Sequence, residues 1–293
     1  MTNLKEIRLR IASVQSTQKI TSAMKMVSAS KLRHAQCAIS NLKPYSRRLN
    51  AILENLSSSA DIVSGNSLFA TREPENVAFI VITSNKGLCG AFNSNIIKEV
   101  DRVAHEEYKN QLQAGKLKLV CIGKKAIEYL QKNYEIIYTN ESLPDRSNFE
   151  EVAEIASNLI DDFIQKKTDK IVIIYNSFVN TATQKITFED YLPVANVKKN
   201  AAQKTINANY IFEPSPKVFM NELVPKILKL QLYKALLDSV AAEHGARMTA
   251  MAKATDSALE ILKDLKLKYN NARQATITNE LNEIVCGAEI LKN

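Results

Sequence analysis

The chain has 293 residues, 45% hydrophobic and 24% charged, the proportions of a folded protein with a full core. Its net charge of +8 is carried by residues 1–57, where ten Lys and Arg stand against Glu6 and Glu54, while the rest of the chain balances at 29 of each sign. No stretch approaches the ~20 apolar residues of a bilayer span, and Cys37, Cys89, Cys121 and Cys286 are too scattered for a zinc or disulfide framework, so they read as small buried hydrophobes.

The first predicted element is a long helix over about residues 4–57. Leu4, Ile7, Ile11 and Val14 set an a/d seam, and Leu32, Ala35, Ile39, Leu42, Leu49, Leu53 and Leu56 keep its phase. In between, that phase falls on Gln18, Thr21, Lys25 and Ser28, while apolar Ile20, Met24 and Val27 lie one position away. The mismatch predicts a stutter, and Pro44 predicts a bend. From Ile7 to Leu53 there is no Asp or Glu. So basic a surface calls for an acidic partner.

The middle of the chain alternates. "VAFIVIT" (77–83), "LKLVCIG" (117–123), "EIIYT" (135–139) and "KIVIIYN" (170–176) are β-rich runs separated by helical patterns over 93–109, 124–133 and 149–167. That order predicts a parallel α/β sheet covered on both faces, with 181–194 adding an edge strand. Polar linkers over 57–67 and 196–209 set this domain, 74–195, apart from its flanks.

The last element is a second long helix. Leu223, Ile227, Leu230, Leu237, Ala241, His244, Met248, Met251, Ala258, Leu262, Leu265, Tyr269 and Ala272 hold one heptad phase, and Ile277, Leu281, Ile284, Ala288 and Leu291 resume it shifted by one. At 1.5 Å per residue the two helices run roughly 80 and ~105 Å, lengths that need a partner throughout. The two seams supply each other as an antiparallel intramolecular coiled coil, the second helix overshooting by about 25 Å. The fold class is α/β plus long helices, with coil segments 1–57 and 210–293 around an inserted α/β domain.

Little in the chain reads as an active site. "SNKGLCGAFN" (84–93) lies where a nucleotide loop would sit, yet it is G-x-x-G, without the spacing of a dinucleotide or P-loop fingerprint. It reads instead as a glycine-permitted turn with Asn93 or Ser94 capping the next helix. His34, His105 and His244 have no nucleophile and carboxylate beside them in any recognisable pattern, and Asp161–Asp162 reads as a solvated helix face. A nucleic-acid reading fits the basic helix, with Lys19, Lys25, Lys31 and Arg33 against phosphates. No stacking aromatic occurs in residues 1–44, which weighs against it.

Long stretches resemble a known family. "IRLRIASVQSTQKITSAMKMVSASKLRHAQ" (7–36) and "AAEHGARMTAMAKATDSALEILKDLKLKYNNARQATITNELNEIVCGAEIL" (241–291) resemble the opening and closing helices of the F-type ATP synthase gamma subunit; "TSNKGLCGAFN" (83–93) and "YIFEPSPK" (210–217) resemble its central turn and the approach to its second helix. The resemblance implies a Rossmann-like inserted domain and a non-catalytic rotor that binds no cofactor. It also implies partners: the alpha and beta subunits of a catalytic ring, an epsilon subunit and a membrane c ring, at the cytoplasmic face of a bacterial inner membrane. By the same resemblance Met24, Lys25, Lys31, Arg273, Gln274, Thr278 and Glu280 contact beta subunits, and Glu213 contacts the c ring or epsilon. Two departures stand out: Ser84-Asn85-Lys86 where the family commonly has Ser-Asp-Arg, and Gly245 where it usually carries a residue with better helix propensity.

Overall fold

The computed structural model describes residues 4–57, 67–194 and 216–290. Glu213, most of 210–217 and nearly all of both polar linkers lie outside the described residues. In chain order the elements are α1 (Leu4–Ser57), a 3-10 turn (Ser67–Phe69), β1 (Val77–Ile82), α2 (Phe92–Glu106), α3 (Lys109–Gln113), β2 (Leu117–Ile122), α4 (Lys124–Leu130), β3 (Glu135–Asn140), α5 (Leu143–Arg146), α6 (Phe149–Ile164), β4 (Lys170–Phe178), β5 (Gln184–Leu192) and α7 (Pro216–Ile290). The predicted strands and helices are present, each within a few residues of its expected bounds. Pro44 lies inside α1 without ending it.

The chain forms two compact units, Ala29–Arg247 and the pair Met1–Ser28 with Met248–Asn293. The larger is built on a five-stranded sheet in the order β3-β2-β1-β4-β5. Strands β1 to β4 run parallel, and β5 closes one edge antiparallel to β4, as 181–194 had suggested. All six residues of β1 are buried, and their alternation separates two cores. Ala78, Ile80 and Ile82 face a core completed by Val152, Leu159 and Phe163 of α6 and by residues of both long helices, including Leu49, Leu53, Leu232 and Leu236. Val77, Phe79 and Val81 face Ile96 and Val100 of α2 and Ala126 and Leu130 of α4. Thus the long helices are also the cover of one sheet face within this unit.

In the smaller unit, α1 and α7 pair along their seams. Ile7, Met251, Ala258, Leu262 and Leu265 are buried, with Ile11, Val14, Tyr269 and Ala272 half-buried beside them. The expected stutter is corrected. The seam keeps its phase through its polar stretch: Thr21 and Ser28 are buried, whereas Ile20 and Val27 are 56% and 58% exposed. Only at one position does the seam shift, Met24 being half-buried and Lys25 exposed. The reason is that small side chains let the helices close while their hydroxyls stay satisfied. Thr21 Oγ1 lies 2.8 Å from Thr255 Oγ1, and Ser28 Oγ donates to Met24 O at 2.7 Å. A second correction concerns Cys37 and Cys286, which are exposed; Cys89 and Cys121 are buried, and burial pushes both thiols up, Cys121 to about 12.

Candidate functional site

An open parallel sheet offers its ligand crevice at the carboxyl ends of the strands where their order reverses, here between β1 and β4. In this chain its own α7 fills that position. Cys89 and Phe92, from the turn after β1, form an apolar cluster with Ala242 and Ala246 of α7, and Phe178 at the end of β4 packs onto it. A Cβ built on Gly245 would lie 3.1 Å from the Phe178 ring. Gly245 therefore stands where a side chain would crowd that ring, which accounts for a residue of poor helix propensity there. Asn176 Nδ2 donates to Phe92 O at 3.3 Å and ties the turn to β4 as well.

The turn itself is held from several directions. Ser84 N donates to Asn93 Oδ1 at 3.1 Å, Asn93 Nδ2 donates to Ser84 Oγ at 2.8 Å, and Ser84 Oγ also lies 2.8 Å from Lys86 O. Asn93 is thus not the helix cap expected of it; Ala91 occupies that position without a side-chain bond, and Ser94 Oγ donates back to Ala91 O. Leu88 and Gly90 both adopt φ of 63°, so one left-handed position is taken by a leucine, which is 65% exposed. Asn85 Nδ2 donates to Glu141 O at 2.7 Å and to Asp145 Oδ2 at 2.8 Å, while its Oδ1 accepts from Lys124 N at the start of α4. An aspartate at this position would keep only the last of these bonds and would face Asp145 with like charge. Here the amide is the group that fits.

Arg247 closes the arrangement from the helix. Its Nη1 donates to Gly87 O, and its Nη2 donates to Lys86 O at 3.3 Å and to the carboxylate of Glu243 one turn earlier. Both charged side chains are about nine-tenths buried. Burial pushes the Glu243 carboxyl up, against the pull of Arg247. His244 beside them is driven down to about 4, first by burial and then by the Lys31 and Arg247 charges, and its Nδ1 has no hydrogen-bond partner among the described residues. The turn therefore offers converging carbonyls to a cation. A phosphate loop needs converging amides, so this G-x-x-G segment is not one. Reading the sequence missed Arg247, although the i,i+4 spacing of Glu243 and Arg247 in an otherwise small-residue stretch was the available signal.

The residues expected to meet partners lie on helix surfaces. Lys25, Arg273, Gln274, Thr278 and Glu280 are exposed in the smaller unit, with Met24 half-buried; Lys31 is exposed in the larger one. Every residue over 273–288 is exposed, a run of ~24 Å. Ile277, Leu281 and Ile284 are 47%, 56% and 67% exposed, with no helix against them among the described residues, in line with the expected overshoot of the second helix. Their spacing makes one stripe, flanked by Arg273 and Glu280 on one side and by Gln274 and Thr278 on the other. Thr278 Oγ1 is turned back onto Gln274 O at 2.9 Å. No helix among the described residues is long and apolar enough to cross a membrane.

Paired long helices, an outward apolar stripe and a sheet whose ligand crevice is closed by its own chain define a mechanical or assembly subunit. Residues 3–291 match the family model described as ATP synthase. The ATP synthase gamma chain of Christiangramia forsetii is 50% identical over 99% of both chains, and that of Flavobacterium psychrophilum is 50% identical over the full length of both. Among solved structures, a chain of the Tetrahymena thermophila mitochondrial ATP synthase central stalk and c ring matches with a TM-score of 0.61 at 28% identity, covering 80% of this chain and 99% of that one. A chain of the Euglena gracilis mitochondrial ATP synthase rotor shares the fold, with a TM-score of 0.64 at 19% identity over 94% of this chain and 98% of that one. The chain belongs to the ATP synthase gamma family, whose members are non-catalytic subunits of the complex. The comparisons give the nucleic-acid reading no support.

Proposed function

We propose that this gamma chain is the central-stalk rotor of a bacterial ATP synthase and couples turning of a membrane c ring to the nucleotide sites of surrounding beta subunits. The coil segments 1–57 and 210–293 form the shaft, and 74–195 with its covering helices forms the foot, which meets epsilon and the c ring, Glu213 included. The complex sits at the cytoplasmic face of the inner membrane, and the gamma chain is peripheral to the bilayer. Catalysis belongs to the beta subunits.

The observation that carries this reading is the exposed run over 273–288, where a single helix offers an apolar stripe between two polar edges. A helix of that composition seats in a ring of partners, with Arg273, Gln274, Thr278 and Glu280 as its polar contacts to beta. The acid-free face of α1 adds Lys25 and Lys31 against acidic beta loops, next to Met24. Exposed pairs are each worth only about 0–1 kcal/mol. Weak contacts suit a shaft that must release each beta subunit in turn.

The test is a complex carrying the double substitution Lys25→Glu and Lys31→Glu. Fewer protons should be pumped per ATP hydrolysed than with the native chain; an undiminished ratio would remove these lysines from the coupling path.

A further inference from the structure

Arg247 is the last residue of the larger unit, and its side chain is only 9% exposed. A buried guanidinium is costly unless it is paired and hydrogen-bonded, and here its two terminal nitrogens donate to two backbone carbonyls of one turn and to Glu243. Those carbonyls belong to the exposed residues Lys86 and Gly87; Lys86 O already accepts from Ser84 Oγ, and water would otherwise satisfy Gly87 O. Stability of the turn alone therefore does not call for a buried cation.

The rest of the contact has a different character. Where the turn and β4 meet α7, the helix offers Ala242, Gly245 and Ala246 to Cys89, Phe92 and Phe178. Such a surface is smooth, and apolar contact across it is non-directional, so by itself it resists sliding poorly. The guanidinium is a rigid planar fork whose hydrogen bonds weaken steeply off-axis. On its far side the turn is anchored through Asn85 to α4 and α5, and through Phe92 O to Asn176 of β4, while Ser84 and Asn93 close it on itself. A stiff path thus runs from the sheet through the turn and the Arg247 fork into the helix.

We infer that Arg247 is a positioning residue for torque transfer: its fork locks the 84–93 turn to α7, so that sheet and helix turn in step at this end of the unit. The inference rests on the rotor reading above and names the residue that fixes foot to shaft there. Glu243 holds the guanidinium in its fork orientation, and the small residues around it let the turn approach closely enough to be gripped.

The experiment compares whole complexes assembled with the native chain, Arg247→Gln, Arg247→Lys and Phe178→Leu, recording ATP hydrolysis and ATP-driven proton pumping in the same vesicles. Arg247→Gln should lower the protons pumped per ATP by about threefold or more. Arg247→Lys should be intermediate, since an ammonium can keep Glu243 and one carbonyl but cannot make the fork. Phe178→Leu loosens the apolar contact and should keep the native ratio. A native ratio in Arg247→Gln, or in Arg247→Lys should the glutamine variant fail to assemble, overturns the latch. So does an equal fall in Phe178→Leu, which would mark a merely structural contact. Absence of pumping with the native chain would overturn the rotor reading and the latch with it, whereas native pumping with an unchanged ratio in the variants overturns the latch alone.

Discussion

Thr21 and Thr255 meet in the seam of the paired helices with their hydroxyl oxygens 2.8 Å apart, and each also reaches a carbonyl of its own helix, Gln18 O and Met251 O. A polar pair at a coiled-coil core position fixes register at some cost in stability. Replacing one member by valine strands the other hydroxyl, although its own helix carbonyl softens the loss. Thr21→Val or Thr255→Val alone should cost about 1 kcal/mol, and the double substitution less than the sum of the two. A double-mutant cycle by denaturant unfolding measures the difference; strict additivity would mean that the pair does not interact.

Asn85 offers a second test. Asn85→Asp would place a carboxylate against Asp145 Oδ2, now 2.8 Å from the amide. Destabilisation of about 1 kcal/mol is expected, growing weaker as salt screens the exposed charges. Adding Asp145→Asn should restore most of it, and a single substitution without effect would show the turn tolerating either group.

His244 predicts how stability responds to acid. Its pKa falls from 6.5 to about 4 on folding, so between those values the unfolded chain binds a proton that the folded chain does not. Its contribution is therefore complete above pH 6.5 and is lost as pH falls toward 4, by at most about 3 kcal/mol. The groups around it are Lys31 of α1, Glu243 and Arg247 of α7, and Asp145 of α5. Glu243, pushed up by burial, works in the opposite direction, so the measurement is the difference between the native chain and His244→Gln. That difference should vary with pH across this window; parallel curves would contradict it.

The exposed end of α7 should be dispensable for folding. Truncation after Asn271 removes the half-buried Ala272 and the exposed run 273–288, and leaves Leu262, Leu265 and Tyr269 in the seam. The thermal midpoint should stay within a few degrees, since surface changes cost at most about 0.5 kcal/mol. Coupled activity of the complex should drop. Intact coupling would reject the proposed contacts of Arg273, Gln274, Thr278 and Glu280.

These sites differ in how well the sequence announced them. The heptads of α1 and α7 and the apolar strands were legible because burial repeats there with a fixed period, and Leu32, Leu53, Leu230 and Leu265 are buried as that period requires. The seam at Thr21 and Ser28 was misread because hydrophobicity pointed to Ile20 and Val27. What decided it was size: small hydroxyl residues let two backbones approach, and their polar atoms find partners within the seam. Arg247 was invisible for a related reason. Its acceptors are the backbone carbonyls of residues 160 and 161 positions away, and backbone oxygens carry no sequence signal. Asn93 looked like a helix cap by position, and only the fold reveals that Ser84 claims it.

The central claim is that this chain turns relative to the ring it supports. It is tested most directly by fixing the catalytic ring to a surface, attaching a visible probe to an exposed site of the α/β domain such as Lys109→Cys in a chain whose exposed Cys37 and Cys286 are replaced by serine, and supplying ATP. The account predicts sustained rotation of the probe in one direction, stopping when ATP is withdrawn. A probe that stays fixed while the same complexes hydrolyse ATP at full rate would contradict it.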